Sequence, residues 1–241
     1  MLEVQIESIS IKDGSNLKSV LRDVGFRIHA NSIFSILGKN GQGKSLLIKS
    51  LTNLLDKNMF DFTGSIKLNG IDLSRITEHD LIEIRKNKIR YCFQDAVNSF
   101  DPLRKMEYYF KSINCSLADI EAKLAYFNLP AYNILSNKYI YEFSIGEAQR
   151  INICLALLAE PELLILDEPT SALDVVNINL LVNKLKEYKH FSRNKILLIT
   201  QDIKFANVIS DEIKALHDGR LHSPDEINIF RGELRHESPA S

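Results

Sequence analysis

The chain of 241 residues contains no tryptophan and only three cysteines, Cys92, Cys115 and Cys154. Because their number is odd, their spacings are wide and no CxxC pair occurs, we expect neither a disulfide framework nor a zinc site. We interpret all three as small apolar packing residues. The chain also lacks an excess of charge, with 30 Lys and Arg against 31 Asp and Glu. A nucleic-acid partner, which usually requires a basic excess, is therefore not expected.

A long uninterrupted apolar run is absent as well. The most apolar stretch, residues 151–166, is broken by Glu160, Pro161 and Glu162. It falls short of the roughly 20 apolar residues that a membrane span needs. The first residues lack the basic segment and the apolar run of a signal peptide. A role at a membrane is therefore expected to depend on partner proteins.

Patterns typical of strands and of helices alternate along most of the chain. Apolar runs and period-two alternation predict strands at residues 2–11, 24–28, 33–37, 65–68, 71–73, 89–93, 163–166, 195–199 and 212–216. Helical periodicity predicts helices at residues 44–55, 78–86, 175–188 and 203–209, and a mostly helical stretch at 95–159. Ser116 and Ser144 are predicted helix N-caps, and Asn69 with Gly70 predicts a hairpin turn.

This order of elements predicts a single domain in which a mostly parallel α/β core brackets a helical insertion. We place the core at about residues 1–93 and 160–222, and the insertion at about residues 94–159. The polar tail at about residues 223–241 contains two prolines and is predicted to be weakly ordered. In sheets of this kind, ligands bind at the carboxyl ends of the strands.

Residues 38–45 read GKNGQGKS, which is the pattern G-x-x-x-x-G-K-S between a buried strand and a helix. In that context the backbone N–H groups of the loop cradle phosphates, and the helix N-terminus adds positive potential. Lys44 is expected to reach the β- and γ-phosphates of a nucleotide, and the Ser45 hydroxyl to bind Mg²⁺. An ordinary glycine turn is the alternative, which these flanks disfavour. The candidate nucleotide-binding residues of the loop are Gly38, Asn40, Gly41, Gly43, Lys44, Ser45 and Leu46.

A second motif is the apolar run at residues 163–166, which ends in two carboxylates, Asp167 and Glu168. Asp167 is expected to hold Mg²⁺ directly or through water, and Glu168 to orient or deprotonate an attacking water. For this motif alone, a solvated acidic turn is an equal alternative. The phosphate loop elsewhere in the chain favours the functional interpretation.

Three further segments make the sequence resemble the ATP-binding-cassette (ABC) ATPase family. Residues 143–150, FSIGEAQR, are similar to the family's signature motif, L-S-G-G-Q followed by Q-R. Residues 167–174, DEPTSALD, are similar to its Walker B segment and D-loop, and Gln94 stands where the family places its Q-loop glutamine. The motifs keep the family's order and spacing over about residues 2–222. The resemblance implies the ABC ATPase fold, a P-loop α/β core with an antiparallel β edge subdomain and an inserted helical subdomain.

The resemblance also implies two ATPase units that face each other head to tail and bind ATP and Mg²⁺ between them. Ser144 and Gly146 would then meet the γ-phosphate of the ATP held by the partner, and Asp174 of the D-loop belongs to the same set of nucleotide-binding candidates. Gln94 would ligate and sense Mg²⁺, and Gln201 takes the position of the γ-phosphate sensor. A helix N-cap is the structural alternative for Ser144, and both roles can hold together.

Residues 93–102, FQDAVNSFDP, are similar to the F-Q-D-P-x-x-S-L-N-P stretch of peptide and nickel importer ATPases. This finer resemblance implies the motor of a membrane importer at the cytoplasmic face of the cell membrane. Its partners would be two transmembrane permease subunits, a second and different ATPase chain and, indirectly, an extracytoplasmic solute-binding protein. The lack of a long cysteine-bearing C-terminal extension favours the nickel or metal-chelate type. Simple packing of the helical lobe by Phe100 and Pro102 is an equal alternative, and the sequence names no solute.

Three positions depart from the family pattern. Gln201 stands in place of the usual switch histidine, Ile145 in place of a signature glycine, and Ile11 where the family often offers an aromatic ring to adenine. These departures keep open a weakly hydrolytic regulatory half of a heterodimeric ATPase pair with unequal sites. A soluble ABC ATPase of the DNA-repair or translation type is the other alternative, although the chain shows neither a long coiled-coil insertion nor a second cassette.

Overall fold

The computed structural model describes residues 1–14, 16–190 and 194–227. Its strands are β1 (Leu2–Asp13), β2 (Asn16–Ile28), β3 (Ser32–Leu37), β4 (Phe60–Leu68), β5 (Ile71–Asp72), β6 (Ile89–Cys92), β7 (Leu163–Asp167), β8 (Lys195–Thr200), β9 (Glu212–His217) and β10 (Arg220–His222). Its helices are α1 (Lys44–Leu51), α2 (Glu78–Asn87), α3 (Met106–Lys111), α4 (Leu117–Tyr126), α5 (Tyr132–Leu135), α6 (Ile145–Leu158), α7 (Val175–Lys189) and α8 (Ile203–Ile209).

The strands form two sheets of different kinds. A four-stranded antiparallel sheet has the order β2-β1-β4-β5, and a six-stranded sheet has the order β10-β9-β3-β8-β7-β6. In the second sheet β9, β3, β8, β7 and β6 run parallel, and β10 is antiparallel to β9. Every residue of β7 and β8 is buried, as expected for parallel strands that are covered on both faces. The predicted α/β fold with an antiparallel edge sheet is therefore confirmed.

The two faces of the parallel sheet pack against different layers. In β7, Leu164 and Leu166 belong to the apolar cluster formed with the helices α3, α4, α6 and α7. Leu163 and Ile165 belong to the cluster formed with α1 and the antiparallel sheet. This division follows from the alternation of side chains along a strand. The helices between β6 and β7 thus cover one face of the sheet, and α1 with its phosphate loop covers the other.

Several local predictions are confirmed. Ser116 and Ser144 accept hydrogen bonds from the backbone N–H groups of Asp119 and Glu147, as N-caps do. Asn69 and its neighbouring glycine take left-handed φ angles of 50° and 85°. They join β4 to β5 in a tight hairpin.

Helix α1 ends earlier than predicted. Asn53 has a left-handed φ of 50°, and the N–H of Leu54 bonds back to the carbonyl oxygen of Lys49 at 2.7 Å. This geometry terminates a helix. The apolar residues that follow, which suggested a longer helix, belong instead to the connection to β4.

Strands β2 and β4 are longer than predicted. They begin at Asn16 and Phe60, in segments whose side chains show no clear alternation. Both are paired with β1 over that length, with Asn16 opposite Asp13 and Phe60 opposite Ile11. Hydrogen bonding to a neighbouring strand, rather than side-chain pattern, extends them.

The start of the predicted weakly ordered tail is packed. Residues Pro224–Glu226 form a 3₁₀ turn, and Ile227 lies buried in a small apolar cluster with Leu37, Ile203 and Ala215. The rest of the predicted tail, from residue 228, lies outside the described residues. This part of the prediction was therefore too broad, because one apolar side chain finds a place on the core.

The carboxyl ends of four parallel strands carry the predicted site residues. The phosphate loop follows β3, Gln94 follows β6, Glu168 follows β7 and Gln201 follows β8. Since these strands are neighbours in one sheet, their following loops meet along the same edge, where α/β sheets bind ligands.

Candidate nucleotide site

The phosphate loop passes from β3 into α1 through two glycines in left-handed conformations. Gly41 has φ 83° and Gly43 has φ 94°. A Cβ on Gly43 would also lie 2.8 Å from Cδ2 of Leu21 on β2. Gly43 is therefore required by its backbone angle and by its neighbour. Gly43 is the N-cap of α1 without a side-chain hydrogen bond, so the first-turn N–H groups stay available to an anion.

Lys44, the first residue of α1, turns back under the loop. Its ammonium group donates hydrogen bonds to the carbonyl oxygen of Gly38 and, at 2.9 Å, to Oε1 of Glu168. The side chains of Lys44 and Glu168 are each only 8% exposed. A buried ion pair of this kind is held in place by the cost of leaving either charge alone. The structure thus brings the phosphate-loop lysine and the acidic strand end together, as the sequence predicts.

Contacts from α1, from β8 and from the residue that follows β8 hold Glu168 in one orientation. Its backbone has a left-handed φ of 46°, and its N–H donates to the carbonyl oxygen of Ile199 on β8 at 2.8 Å. Beside the contact with Lys44, its Oε2 accepts from Thr200 Oγ1 and from the backbone N–H of Gln201, both at 3.0 Å. Thr200 is completely buried, so this support is shielded from water.

Gln201 connects the end of β8 to the phosphate loop. Its side-chain Nε2 donates to Oδ1 of Asn40 at 2.9 Å, while its backbone N–H serves Glu168. The Gln201 side chain is exposed and contacts the phosphate loop at Asn40. The amide has no titratable proton, unlike the imidazole found at this position in the resembled family.

Asp167 ends β7 with a carboxylate that is almost fully buried. Its Oδ2 accepts a hydrogen bond from the hydroxyl of Tyr91 on β6 at 2.9 Å. Burial raises the pKa of Asp167, Tyr91 lowers it, and the neighbouring charges of Glu168 and Lys44 act in opposite directions. Desolvation is the largest of these effects, so the ionised carboxylate is poorly compensated by the protein alone.

The predicted metal-binding residues suit Mg²⁺ better than a metal ion that takes all of its ligands from the protein. The predicted donors Ser45, Gln94 and Asp167 offer only oxygen or amide groups, and Ser45 and Gln94 are exposed. Within residues 1–14, 16–190 and 194–227 no cluster of three or more His, Cys, Asp or Glu could form a cage. Mg²⁺ typically binds through one or two protein oxygens together with waters and phosphate oxygens. The undercompensated charge of Asp167 fits such a cation.

The predicted signature residues lie at the start of α6. Ser144 Oγ donates to Oε2 of Glu147 at 2.8 Å, and the N–H of Glu147 donates back to Ser144 Oγ at 3.3 Å. A Cβ on Gly146 would lie 2.8 Å from the carbonyl oxygen of Ala172, in the loop after β7. Gly146 therefore lets α6 approach that loop, which supplies a structural need for glycine here. Ile145 is 68% exposed.

Asp174 caps α7 directly after the loop that Gly146 contacts. Its Oδ1 accepts from the backbone N–H of Asn177 at 2.8 Å, and hydrogen bonds from Asn177 lower the pKa of Asp174. In the described part of the chain, no side-chain hydrogen bond links Ser144 or Asp174 to the phosphate loop. The predicted site residues thus form two groups, one at the phosphate loop and one at the starts of α6 and α7.

The sequence analysis did not single out two contributors, Tyr91 and Thr200. Tyr91 reaches the site because β6 lies beside β7, with Tyr91 opposite Ile165. Thr200 ends β8 directly before Gln201, and its hydroxyl supports Glu168. A polar residue near the end of a predicted buried strand is the signal that could have found both. Position 11 holds an isoleucine and therefore offers no aromatic ring to adenine. The residue paired with Ile11 on β4 is Phe60.

Comparison with known proteins shows the family of this chain. The family model described as "ABC transporter" matches residues 21–171. The dipeptide transport ATP-binding protein DppD of Caldanaerobacter subterraneus subsp. tengcongensis is 33% identical over 222 residues, 88% of this chain and 68% of its own length. The oligopeptide transport ATP-binding protein AmiE of Streptococcus pneumoniae is 30% identical over 84% of this chain, which spans 60% of AmiE. The nickel import system ATP-binding protein NikD of Staphylococcus aureus is 27% identical over 97% of this chain and 91% of its own length.

Solved structures share the fold. An ATP-binding subunit of an ABC transporter is 27% identical, with a TM-score of 0.76 over 96% of this chain and 93% of that chain. An ATP-binding cassette in a dimeric post-hydrolysis state with ADP and phosphate is 22% identical, with a TM-score of 0.78 over 92% and 97% of the two chains. None of the helices in the described residues has the length and apolarity to span a membrane. Since the family match extends over more than half of its length, this chain belongs to the ABC transporter family, as an ATP-binding cassette of that family.

Proposed function

We propose that this chain, with Mg²⁺, hydrolyses ATP to ADP and phosphate and thereby drives a membrane importer as its ATPase subunit. The observation that carries the proposal is the contact between Lys44 and Glu168. It brings the lysine of the phosphate loop and the candidate base to one point. A γ-phosphate bound by Lys44 would therefore lie beside the Glu168 carboxylate, where an attacking water can be oriented.

Each residue of the phosphate-loop group has a distinct proposed task. The loop N–H groups and Lys44 hold the phosphates, which weakens the contact of Lys44 with Oε1 of Glu168. Thr200 and the Gln201 N–H keep Oε2 fixed, so Oε1 becomes the atom that accepts the proton of the attacking water. The Gln201 side chain donates a hydrogen bond to the γ-phosphate in place of Asn40.

We propose Ser45, Gln94 and Asp167 as the residues that hold Mg²⁺, directly or through water. The cation would neutralise charge on the transferred phosphoryl group. Asp167 supplies the charge, because its buried carboxylate has no cationic hydrogen-bond partner among the described residues. Ser45 lies at the start of α1, and Gln94 follows β6, the strand paired with β7.

The α6 start is proposed to act on the ATP of a second, head-to-tail ATPase subunit. Ser144 and Ile145 are exposed, and the first two residues of α7, Val175 and Val176, are 73% and 65% exposed. An exposed apolar patch beside a helix N-terminus suits a protein contact that includes an anion. Because Ile145 and Gln201 both depart from the family pattern, we propose that the second subunit is a different chain.

The membrane partners are proposed to be two permease subunits that dock on the helical insertion at about residues 94–159. A cleft of about 850 Å³ separates α4 and the end of α6 from α2 and β6. Arg90 and Lys123 line it, and burial lowers the pKa of both. Half-buried cations in an open cleft suit a polypeptide segment with carboxylates. This docking would place the chain at the cytoplasmic face of the cell membrane. A solute-binding protein at the opposite face would be an indirect partner, through the permease subunits.

The proposed class of transported solute rests on the names of the relatives. DppD and AmiE are named for dipeptide and oligopeptide transport, and NikD for nickel import. We propose a metal or metal chelate as the cargo, with peptides as the alternative, since these are the solutes that the relatives' names give.

ATP turnover by the purified chain tests the catalytic part of the proposal. Phosphate release is measured with Mg²⁺ and with EDTA, and Glu168→Gln serves as the matched control that keeps the size of the side chain. Turnover that requires Mg²⁺ and falls by about 10²-fold or more in Glu168→Gln supports the proposal. Equal phosphate release by both forms would exclude Glu168 as the base.

A weakly hydrolytic regulatory subunit is the second candidate, favoured by Gln201 and Ile145. Under this candidate, Gln201→His raises turnover, because an imidazole can carry charge to the γ-phosphate. An unchanged rate in Gln201→His would remove this support.

Co-purification tests the transport part. The tagged chain is extracted from native membranes in detergent, and its companions are identified by mass spectrometry. Two multi-span proteins and a second ATPase support the importer with unequal subunits. A chain recovered without membrane proteins contradicts it, whatever its ATPase rate.

A further inference from the structure

The only hydrogen bond to the Asp167 carboxylate from the described residues comes from a tyrosine. The Tyr91 hydroxyl donates to Oδ2 of Asp167 at 2.9 Å. A phenol remains protonated at neutral pH and can donate one hydrogen bond. Oδ2 is therefore committed to Tyr91, and Oδ1 is the oxygen left to face a cation or a metal-bound water.

The position of the hydroxyl is fixed by the sheet and by ring packing. Tyr91 lies on β6 opposite Ile165 of β7, two positions before Asp167 on the same strand. In paired parallel strands, Tyr91, Ile165 and Asp167 share one face. The Tyr91 ring packs on the apolar cluster of the α1 side and contacts the ring of Phe93, with centroids 4.0 Å apart. The donor thus lies on a strand of the parallel sheet and not in a loop.

We propose that Tyr91 is a positioning residue that fixes which oxygen of Asp167 faces Mg²⁺. The proposal rests on the proposed function, since it assigns a task at the same site. Hydrogen-bond partners of metal-binding carboxylates orient the ligand, and their loss weakens metal binding. Without the hydroxyl, the carboxylate can rotate about its terminal bond, which is only softly restrained. The metal would then bind a mixture of orientations and therefore bind less tightly.

The chain supplies a matched control in Tyr188. This tyrosine is buried, and its hydroxyl donates to the carbonyl oxygen of Pro161 at 2.9 Å. Tyr188 lies on α7, and its acceptor precedes β7 at the end opposite to Asp167. Tyr91→Phe and Tyr188→Phe each remove one hydroxyl and the one hydrogen bond that it donates. They differ in whether the acceptor is the metal-facing carboxylate.

The test measures nucleotide and metal binding by the full chain. Binding of a fluorescent ATP analogue is recorded first in EDTA and then as Mg²⁺ is titrated, and the electron paramagnetic resonance spectrum of Mn²⁺ is recorded with ATP present. For Tyr91→Phe we expect unchanged affinity in EDTA, an apparent Mg²⁺ affinity weaker by about 10-fold, and an altered Mn²⁺ spectrum. For Tyr188→Phe we expect wild-type values in all three measurements.

The outcomes separate this inference from the proposed function. A Tyr91→Phe variant with the Mg²⁺ midpoint and Mn²⁺ spectrum of Tyr188→Phe overturns the inference. A wild-type chain whose ATP binding ignores Mg²⁺ contradicts the proposed function itself. Should Tyr91→Phe fail to fold, Phe93→Ala removes the ring support of Tyr91 and keeps its hydroxyl. A weakened Mg²⁺ midpoint in Phe93→Ala supports the inference, and a wild-type midpoint overturns it.

Discussion

The phosphate loop and the start of α6 hold the two groups of predicted site residues, and they hold their polar side chains in different ways. At the phosphate loop, Lys44 and Glu168 are buried and bound to each other across 124 positions of sequence. At the start of α6, Ser144 is exposed and bound to Glu147, three positions away. The first arrangement exists only in the folded chain, whereas the second belongs to one helix turn.

This difference determines what each region can do alone. The buried ion pair holds strong charges in a defined place and makes the region intolerant of losing either partner. The capping box completes its own hydrogen bonds, so the α6 start is stable while its Ser144 hydroxyl stays at the surface. An exposed motif that completes its own hydrogen bonds suits contact with a second subunit. A buried motif held by an ion pair between distant residues suits the hydrolysis reaction.

The largest effect is expected for Lys44→Met. It leaves Glu168 buried without its cation, and we expect a loss of about 3 kcal/mol in the free energy of unfolding, together with the loss of ATP binding. Urea unfolding measures the first effect, and the double variant Lys44→Met/Glu168→Gln should regain part of the loss, because no charge is left unpaired. A single variant as stable as the wild type would show that the pair contributes no such constraint.

Gly146→Ala is expected to have the next largest effect. The new Cβ would lie 2.8 Å from the carbonyl oxygen of Ala172, and relief of that clash should cost about 1–3 kcal/mol. Gly25→Ala is the control, because its Cβ would have its nearest neighbour, the Val4 carbonyl oxygen, at 3.8 Å. Thermal unfolding compares the two. Higher stability of Gly146→Ala, as helix propensity alone would give, contradicts the close approach of α6 to the loop after β7.

We expect Ser144→Ala and Ser116→Ala each to lower the free energy of unfolding by about 1 kcal/mol, the usual contribution of an N-cap. Both serines cap helices with the same bond to a residue three positions on. We expect equal losses of stability and a lower ATPase rate of the assembled pair only for Ser144→Ala. If the two variants lose activity equally, Ser144 has no task beyond capping.

The smallest effects concern pH, and they have opposite signs in the two regions. Burial raises the pKa of Asp167, so its ionised form lowers stability above about pH 4, the unfolded-state value. Hydrogen bonds from Ser144 lower the pKa of Glu147. Its stabilisation is therefore complete above about pH 4.3 and is lost as the pH falls through the folded-state pKa.

Removing either carboxylate should show, at neutral pH, the opposite effects of the two ionised groups on stability. We expect Asp167→Asn to raise the melting temperature at pH 7 and Glu147→Gln to lower it. The difference for Asp167→Asn should shrink as the pH falls toward the unfolded-state pKa of Asp, and that for Glu147→Gln should shrink as the pH falls through the lowered folded-state pKa of Glu147. Thermal unfolding from pH 3 to pH 7 measures them, and shifts of the same sign would contradict the assignment.

Local features were predictable from the sequence because their causes lie within a few residues. The glycines and Lys44 of the phosphate loop, the caps at Ser116 and Ser144 and the turn at Asn69 each depend on nearby backbone angles and hydrogen bonds. The predicted alternation of strands and helices gave the parallel sheet, and the strand-end rule placed Glu168 and the loop on one edge.

Other features needed the folded chain because they join distant residues. The early starts of β2 and β4 depend on pairing with β1. At the end of α1, the carbonyl oxygen of Asn53 accepts a hydrogen bond from Arg85 of α2.

The sequence by itself determined the phosphate loop, the acidic strand end and the capped start of α6, since each is a short run whose chemistry depends on its own spacing. The tertiary structure decided the partners of those runs: Tyr91 on Asp167, Gln201 on Asn40, and Ala172 against Gly146. Each of these contacts depends on the order of strands and on which face of a strand or helix a residue occupies. Those are properties of packing between elements, and no local pattern in the sequence encodes them.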